Sequence, residues 1–160
     1  MLRPMQLVIE NVHSYPRPPA LEVVPQQIRI LLGQAVVAET TAALRVLETH
    51  HAPTYYLPRS DVRAVLTPAS GTSFCEWKGD ASYWTVQAGG AEVQGAAWSY
   101  SAPNARFAAL KDHIAFYAGK MDACFVGEDR VMPQPGDFYG GWVTPNLQGQ
   151  IKGGPGTRHW

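Results

Sequence analysis

The sequence predicts a mainly-β single domain with a few short helices, and three observations carry that prediction. Short runs rich in Val, Ile, Thr, Tyr and Phe recur along the chain between turn-forming residues, about seven to nine of them, with no strand–helix–strand rhythm. The 160 residues include 15 Gly and 13 Pro, which divide the chain into turns and extended pieces. Apolar residues make up 46%, enough for a core without covalent staples. There is no internal repeat.

Residues 1–26 are read as an extended, proline-rich arm, and residues 27–160 as the domain. The arm passes through Ser14-Tyr15-Pro16-Arg17-Pro18-Pro19, where proline fixes φ and biases its predecessor to extended conformations. It either drapes over its own domain, anchored by Tyr15, or docks on a partner. Residues 27–32 and 35–40 are β-rich and flank Gly33-Gln34, the pattern of a hairpin with a type II′ turn. Residues 41–49 are ambiguous between helix and strand. Residues 54–57 form a strand stopped by Pro58, and residues 60–66 a helical turn capped by Ser60 or Asp61.

A hairpin over residues 73–84 holds two of the five tryptophans. Alternation about a turn at Gly79-Asp80 sets Phe74, Glu76 and Lys78 on one face and Cys75 and Trp77 on the other. Tyr83 and Trp84 then fall on opposite faces of the return strand. Residues 88–91 turn into a strand on which Ala96, Trp98 and Tyr100 share a face. Asn104 caps a second short helix, residues 105–111, with Phe107, Ala108 and Leu110 as its apolar stripe. Residues 113–118 and 123–126 are further strands. The Gly/Pro-rich tail carries Trp142 and Trp160 and is expected to dock on the domain.

Thirteen basic and 13 acidic residues balance. That leaves neither the basic footprint of a nucleic-acid binder nor a surface biased toward an anionic membrane. No run approaches a membrane span, and the first apolar run is too short for a signal-peptide core, so a cytoplasmic protein is expected. Two cysteines 49 positions apart are expected as reduced thiols.

Several stretches taken together resemble the domain of unknown function 427 family. They are the arm motif, Arg45-Val46-Leu47-Glu48-Thr49-His50, Thr54-Tyr55-Tyr56-Leu57-Pro58 with Asp61, and Cys75-Glu76-Trp77-Lys78-Gly79. Ala97-Trp98-Ser99-Tyr100, Ala115-Phe116-Tyr117, Gly140-Gly141-Trp142 and Lys152-Gly153-Gly154-Pro155-Gly156-Thr157 follow in order. The resemblance implies a β-tent: two antiparallel sheets leaning together, with aromatic residues around a pocket between them. More distant likenesses are zinc-binding Rab exchange factors, methionine sulfoxide reductase B and the thalidomide-binding domain of cereblon. Those relatives hold zinc with two Cys-x-x-Cys pairs, and two lone cysteines cannot supply four thiolates. The family is sometimes labelled nucleotidyltransferase, and no residue pattern here supports the label.

The candidate ligand site is aromatic: Tyr56, Trp77, Tyr83, Trp98, Tyr100, Phe116 and Tyr117, with Glu76 and Lys78 as a charged pair. Ring faces stack on planar ligands and attract cations, while hydroxyls and indole N–H groups orient them. The competing account is that the rings fill the core. Arg45 is expected in a structural ion pair with Glu48 or Asp61. Glu48 and His50 share a strand face with His51 turned away, too few ligands for a metal. The 152–157 stretch lacks the P-loop order and reads as a tight turn. The expected function is therefore binding of a small planar or cyclic molecule, with no metal or cofactor, by a monomer or homodimer. The alternatives are a thiol-dependent reductase using Cys75, a nucleotide-using transferase, or an interaction module docking through the arm.

Overall fold

A computed structural model of the chain describes residues 7–75, 77–136, 139–153 and 157. Among the described residues the strands are β1 (Glu10–Asn11), β2 (Ala20–Val23), β3 (Ile28–Leu32), β4 (Ala35–Thr40), β5 (Leu44–Leu47) and β6 (Thr54–Pro58). Then come β7 (Val65–Cys75), β8 (Gly79–Ala88), β9 (Ala91–Ser99), β10 (His113–Phe116) and β11 (Ala123–Val126). The last are β12 (Asp129–Arg130), β13 (Met132–Pro133), β14 (Trp142–Val143) and β15 (Leu147–Gln148). The domain is mainly β, with short 3-10 helices in place of long ones.

Two antiparallel sheets form its body. The larger runs β2-β5-β6-β10-β9-β8-β7 and the smaller β12-β11-β3-β4. Alternation along each strand divides the apolar residues of the large sheet between its faces. Tyr55, Leu57, Ile114, Phe116 and Ala97 point toward Ile28, Ile30, Val37 and Val126 of the small sheet, and together these form the main core. Tyr56, Ala115, Trp98 and Val46 point the other way into a second apolar cluster with Tyr100, Phe107 and Leu110. That second face positions the site.

Several local expectations are corrected. Gly33 and Gln34 both have positive φ, 60° and 63°, so the β3–β4 turn is type I′ rather than II′. Residues 60–66 do not form a capped helical turn; a 3-10 helix, Arg59–Asp61, gives way to β7. The N–H groups of Arg63 and Ala64 donate to Val37 O at 2.7 and 3.2 Å, tying that stretch alongside β4. The ambiguous 41–49 stretch contributes β5, held on both sides by β2 and β6. The second short helix is 3-10, Ala105–Leu110, whose three-residue repeat buries Phe107 and Leu110 but leaves Ala108 exposed. Asn104 does not cap it with its side chain; Nδ2 donates to Trp77 O at 3.0 Å.

The 73–84 hairpin forms, but Trp77 and Lys78 lie in its turn, and Gly79, at φ 107°, already opens β8. The register Cys75↔Gly79 makes the reversal earlier, and its loop longer, than a Gly79-Asp80 turn. Ala96 packs in the main core rather than with Trp98 and Tyr100. The chain is irregular there, with Gly95 at φ 64° and a register shift on β8 between Trp84 and Val86.

Within the residues read as an arm, β2 is the edge strand of the large sheet and β1 pairs in parallel with β15. Tyr15 is buried against Val12 and Leu47. Arg45 is ion-paired as expected, but with Glu10 and Glu22. The register Glu22↔Arg45 puts that acid directly opposite, which sequence spacing did not reveal. Trp142 is wholly buried, whereas Trp160 lies outside the described residues. Among the described residues no helix is long and apolar enough to cross a membrane.

Candidate functional site

A cavity of about 300 Å³, open to solvent, lies on the face of the large sheet that carries Trp98 and Tyr56. This corrects the expected position between the two sheets, where buried side chains of the main core pack instead. Strand alternation decides the difference: Tyr55 and Tyr56 are neighbours in sequence, and only Tyr56 faces the cavity.

Of the residues expected there, Tyr56, Trp98, Tyr100 and Tyr117 form one wall. Tyr83 of β8 and Trp77 and Lys78 of the hairpin turn complete the aromatic part. Phe116 does not line it; being one residue from Ala115 on β10, it faces the main core. Glu76, and with it the proposed Glu76–Lys78 pair, lies outside the described residues. Trp98 and Tyr117 meet with ring centroids 4.5 Å apart and planes inclined 43°, and Tyr56 and Tyr100 lie 6.3 Å apart. These are tilted pairings; Tyr56, Trp98 and Tyr100 are buried, and Trp77, Tyr83 and Tyr117 are the half-buried rings of the wall. Gly140 follows from the tail: a Cβ there would run into the Trp98 indole, so glycine permits the close crossing.

Burial raises the pKa of Tyr56 and Tyr100, the latter further through Tyr56, and pushes Tyr117 up to about 12 with help from Tyr83. For Tyr56 burial outweighs the hydrogen bonds from Trp98 and Tyr100 that favour the phenolate. These phenols are neutral at physiological pH and serve as hydrogen-bonding groups rather than bases.

The other end of the cavity is polar, and most of it was not foreseen. Glu48 and His51 both line it, together with Arg17, Gln134 and Lys152. In the stretch read as ambiguous, the strand stops at Leu47, and His50 takes a left-handed φ of 66°, so the turn delivers Glu48 and His51 to the same side. Pro53 two residues later is the sequence signal that a loop, not a strand, occupies this stretch. Arg17 Nη2 and His51 Nε2 lie 4.0 and 3.9 Å from Glu48 Oε2.

Gln134, only 2% exposed, is committed through both ends of its amide. Its Nε2 donates to Lys152 O at 2.9 Å and lies 3.2 Å from His51 Nδ1, and its Oε1 accepts from Ala52 N. Donation to Nδ1 keeps the imidazole proton on Nε2, toward Glu48. Burial, then the charges of Lys152, Lys78, Arg17 and His50, lower the His51 pKa to about 4. The imidazole is therefore neutral at physiological pH despite the nearby carboxylate.

Cys75 lines the cavity half-buried, while Cys124 is buried and its thiol is pushed up to about 12 by burial. Among the described residues no cluster of three His, Cys, Asp or Glu side chains is placed to hold a metal ion. Of the 152–157 stretch, Gly153 N donates to Thr157 Oγ1 at 2.9 Å, and residues 154–156 lie outside the described residues.

Residues 20–127 match the family described as a domain of unknown function (DUF427). The chain belongs to the DUF427 family. The matched span runs from β2 through β11 and holds the aromatic wall together with Glu48 and His51. Arg17, Gln134 and Lys152 reach the same DUF427 cavity from the segments on either side of that span. No curated protein matches the chain.

Proposed function

We propose that this DUF427 protein binds a small molecule with a flat ring in the aromatic cavity. The observation that carries the reading is the convergence of Tyr56, Trp98, Tyr100 and Tyr117, from three adjacent strands and their ends, around an opening of about 300 Å³. That volume is at the lower end of the range for small-ligand sites, and the mixture of ring faces with a few converging polar groups is their usual composition. Phe74, 72% exposed at the rim, adds a further ring that an entering ligand meets first.

The test is a thermal-shift panel of nucleosides, cyclic imides and aromatic amines. A binder present at about one hundred times its Kd adds roughly 2.7 kcal/mol, a rise of about 5–10 °C for a chain of this size. Trp98→Ala should abolish the response while remaining folded. A panel without a responder, or a response untouched in Trp98→Ala, removes the reading.

The position of Cys75 on the cavity wall favours thiol chemistry as a second reading. Iodoacetamide at neutral pH should then modify Cys75 in the native protein and leave Cys124 intact, since burial keeps the Cys124 thiol protonated. Equal protection of both thiols until denaturation, read by intact mass, ends that alternative.

A further inference from the structure

We infer that the molecule held in this cavity is an anion: a flat ring carrying a carboxylate or phosphate, set among Arg17, Lys78 and Lys152. The inference rests on the binding proposed above and names the chemistry of its ligand.

The argument begins with charge. The whole chain is balanced at 13 basic and 13 acidic residues, yet the described lining of the cavity sets Arg17, Lys78 and Lys152 against Glu48 alone. Among the described residues, two of these cations pair with no carboxylate. Lys78 Nζ rests 5.8 Å from the centroid of the Tyr100 ring, and Lys152 Nζ 5.5 Å from that of Tyr139. A ring face fixes an ammonium without neutralising it, so the charge remains available to a ligand. Arg17 touches Glu48 only at the 4.0 Å limit of an ion pair, leaving most of its planar fork of donors unused by that contact.

The three cations and His51 line one cavity, and burial, helped by the cations' charges, holds the imidazole neutral.

Shape agrees with charge. Arg17, His51 and Lys152 wall both the aromatic cavity and an adjoining recess of about 220 Å³ that Thr49 and His50 complete. Arg17 and Lys152 thus stand at the junction of the two spaces, with Lys78 on the aromatic side. A ring stacked among Trp98, Tyr117 and Tyr100 directs a substituent into that junction, with room beyond it. A neutral ligand would leave the cations of the lining with Glu48 as their described countercharge, and an anion supplies a further one.

Isothermal titration with 2-naphthol, 2-naphthoate and 2-naphthyl phosphate holds the ring constant and varies only the charge. Binding is located by amide shifts in 15N-labelled full-length protein. The acids should bind at least about tenfold more tightly than the naphthol, an advantage that shrinks in about 1 M salt. Arg17→Gln and Lys152→Gln should each erase most of it, and Lys111→Gln, a change at the exposed surface, should not. The tighter of the two acids tells carboxylate from phosphate. Equal affinity for all three compounds at the Trp98 wall, indifferent to the charge variants, overturns the anion inference and leaves the aromatic cavity standing as a binding site. Absence of binding by all three, or shifts that map elsewhere, overturns both.

Discussion

Trp142→Ala, at the largest fully buried side chain among the described residues, is expected to cost about 3–5 kcal/mol. The side chain is 0% exposed and stacks on Tyr55 with centroids 5.1 Å apart and planes inclined only 27°. Its Nε1 donates to Phe116 O at 2.9 Å inside the core, so truncation also strands a buried carbonyl. The cavity left by an indole is too large for strand residues on both sides to close. Trp142→Phe keeps most of the volume and loses the donor, and it should cost about 1–3 kcal/mol. Urea unfolding followed by circular dichroism measures both, and the alanine variant should melt about 10 °C or more below the parent. A shift under about 2 °C would mean that the tail contributes nothing to the core.

The same substitution bears on the site. Trp142 N donates to Pro53 O at 2.8 Å, and the two residues before it, Gly140 and Gly141, lie against Trp98 and Gln134. The tail therefore does two things with adjacent residues: the indole anchors in one face's core, and the glycines lay the backbone across the rim of the cavity on the other. Ligand response in Trp142→Ala should fall together with stability, whereas Trp98→Ala should affect the response first.

Sequence pattern carried the class of the fold and most of the aromatic wall. Period-two alternation places β3 and β4 within a residue at each end, and β3 shows it cleanly in its burial, although β8 runs four residues past the hairpin read at 73–84. It also separates Tyr83 from Trp84, and the structure puts these in different apolar clusters. What alternation cannot supply is which face meets the second sheet. Both faces of the large sheet are apolar, one against the small sheet and one around the cavity, so Phe116 and Tyr117 look equivalent in the sequence. Only the pairing of β10 with β6 and β9 assigns them opposite surroundings.

The polar end of the site was less legible for a different reason. Glu48 and His51 depend on where β5 ends, and a one-residue change in that boundary reverses every side chain after it. Lys152 and Gln134 arrive from the tail, and their nearness to Lys78 and Arg17 is a matter of long-range docking. The main-chain contact Lys152 N to His50 O, at 2.7 Å, is the kind of link no local pattern announces. Turn chemistry was legible only in part. Gly33-Gln34 signalled a hairpin, but the sequence does not say whether Gln34 will accept positive φ, and that choice separates type I′ from II′.

Acid should lower the protein's stability over two separable pH windows, because two partly buried groups have native pKa values below their unfolded ones. For His51, burial and then the charges of Lys152, Lys78 and Arg17 lower the value from 6.5 to about 4. Between those pH values an unfolded chain takes up a proton that the native imidazole refuses, so stability falls as pH drops through this window. The loss is on the order of 3 kcal/mol by about pH 4. For Glu10, burial alone would raise the pKa, but hydrogen bonds from Arg45 and Tyr15 and the Arg45 charge outweigh it and leave the value below 4.5. That contribution is present above pH 4.5 and disappears as pH falls through the lower native value. His51→Gln should flatten the stability profile between pH 6.5 and 4 and leave the more acidic limb intact. Glu10→Gln should do the reverse, at a neutral-pH cost of about 1–3 kcal/mol for the weakened contact to Arg45. Unfolding free energies from urea titrations at half-unit pH steps resolve the two limbs. A parent profile that is flat from pH 7 to 4 would show that His51 takes up its proton at an ordinary pH, and that the cations around it are too far apart to act together.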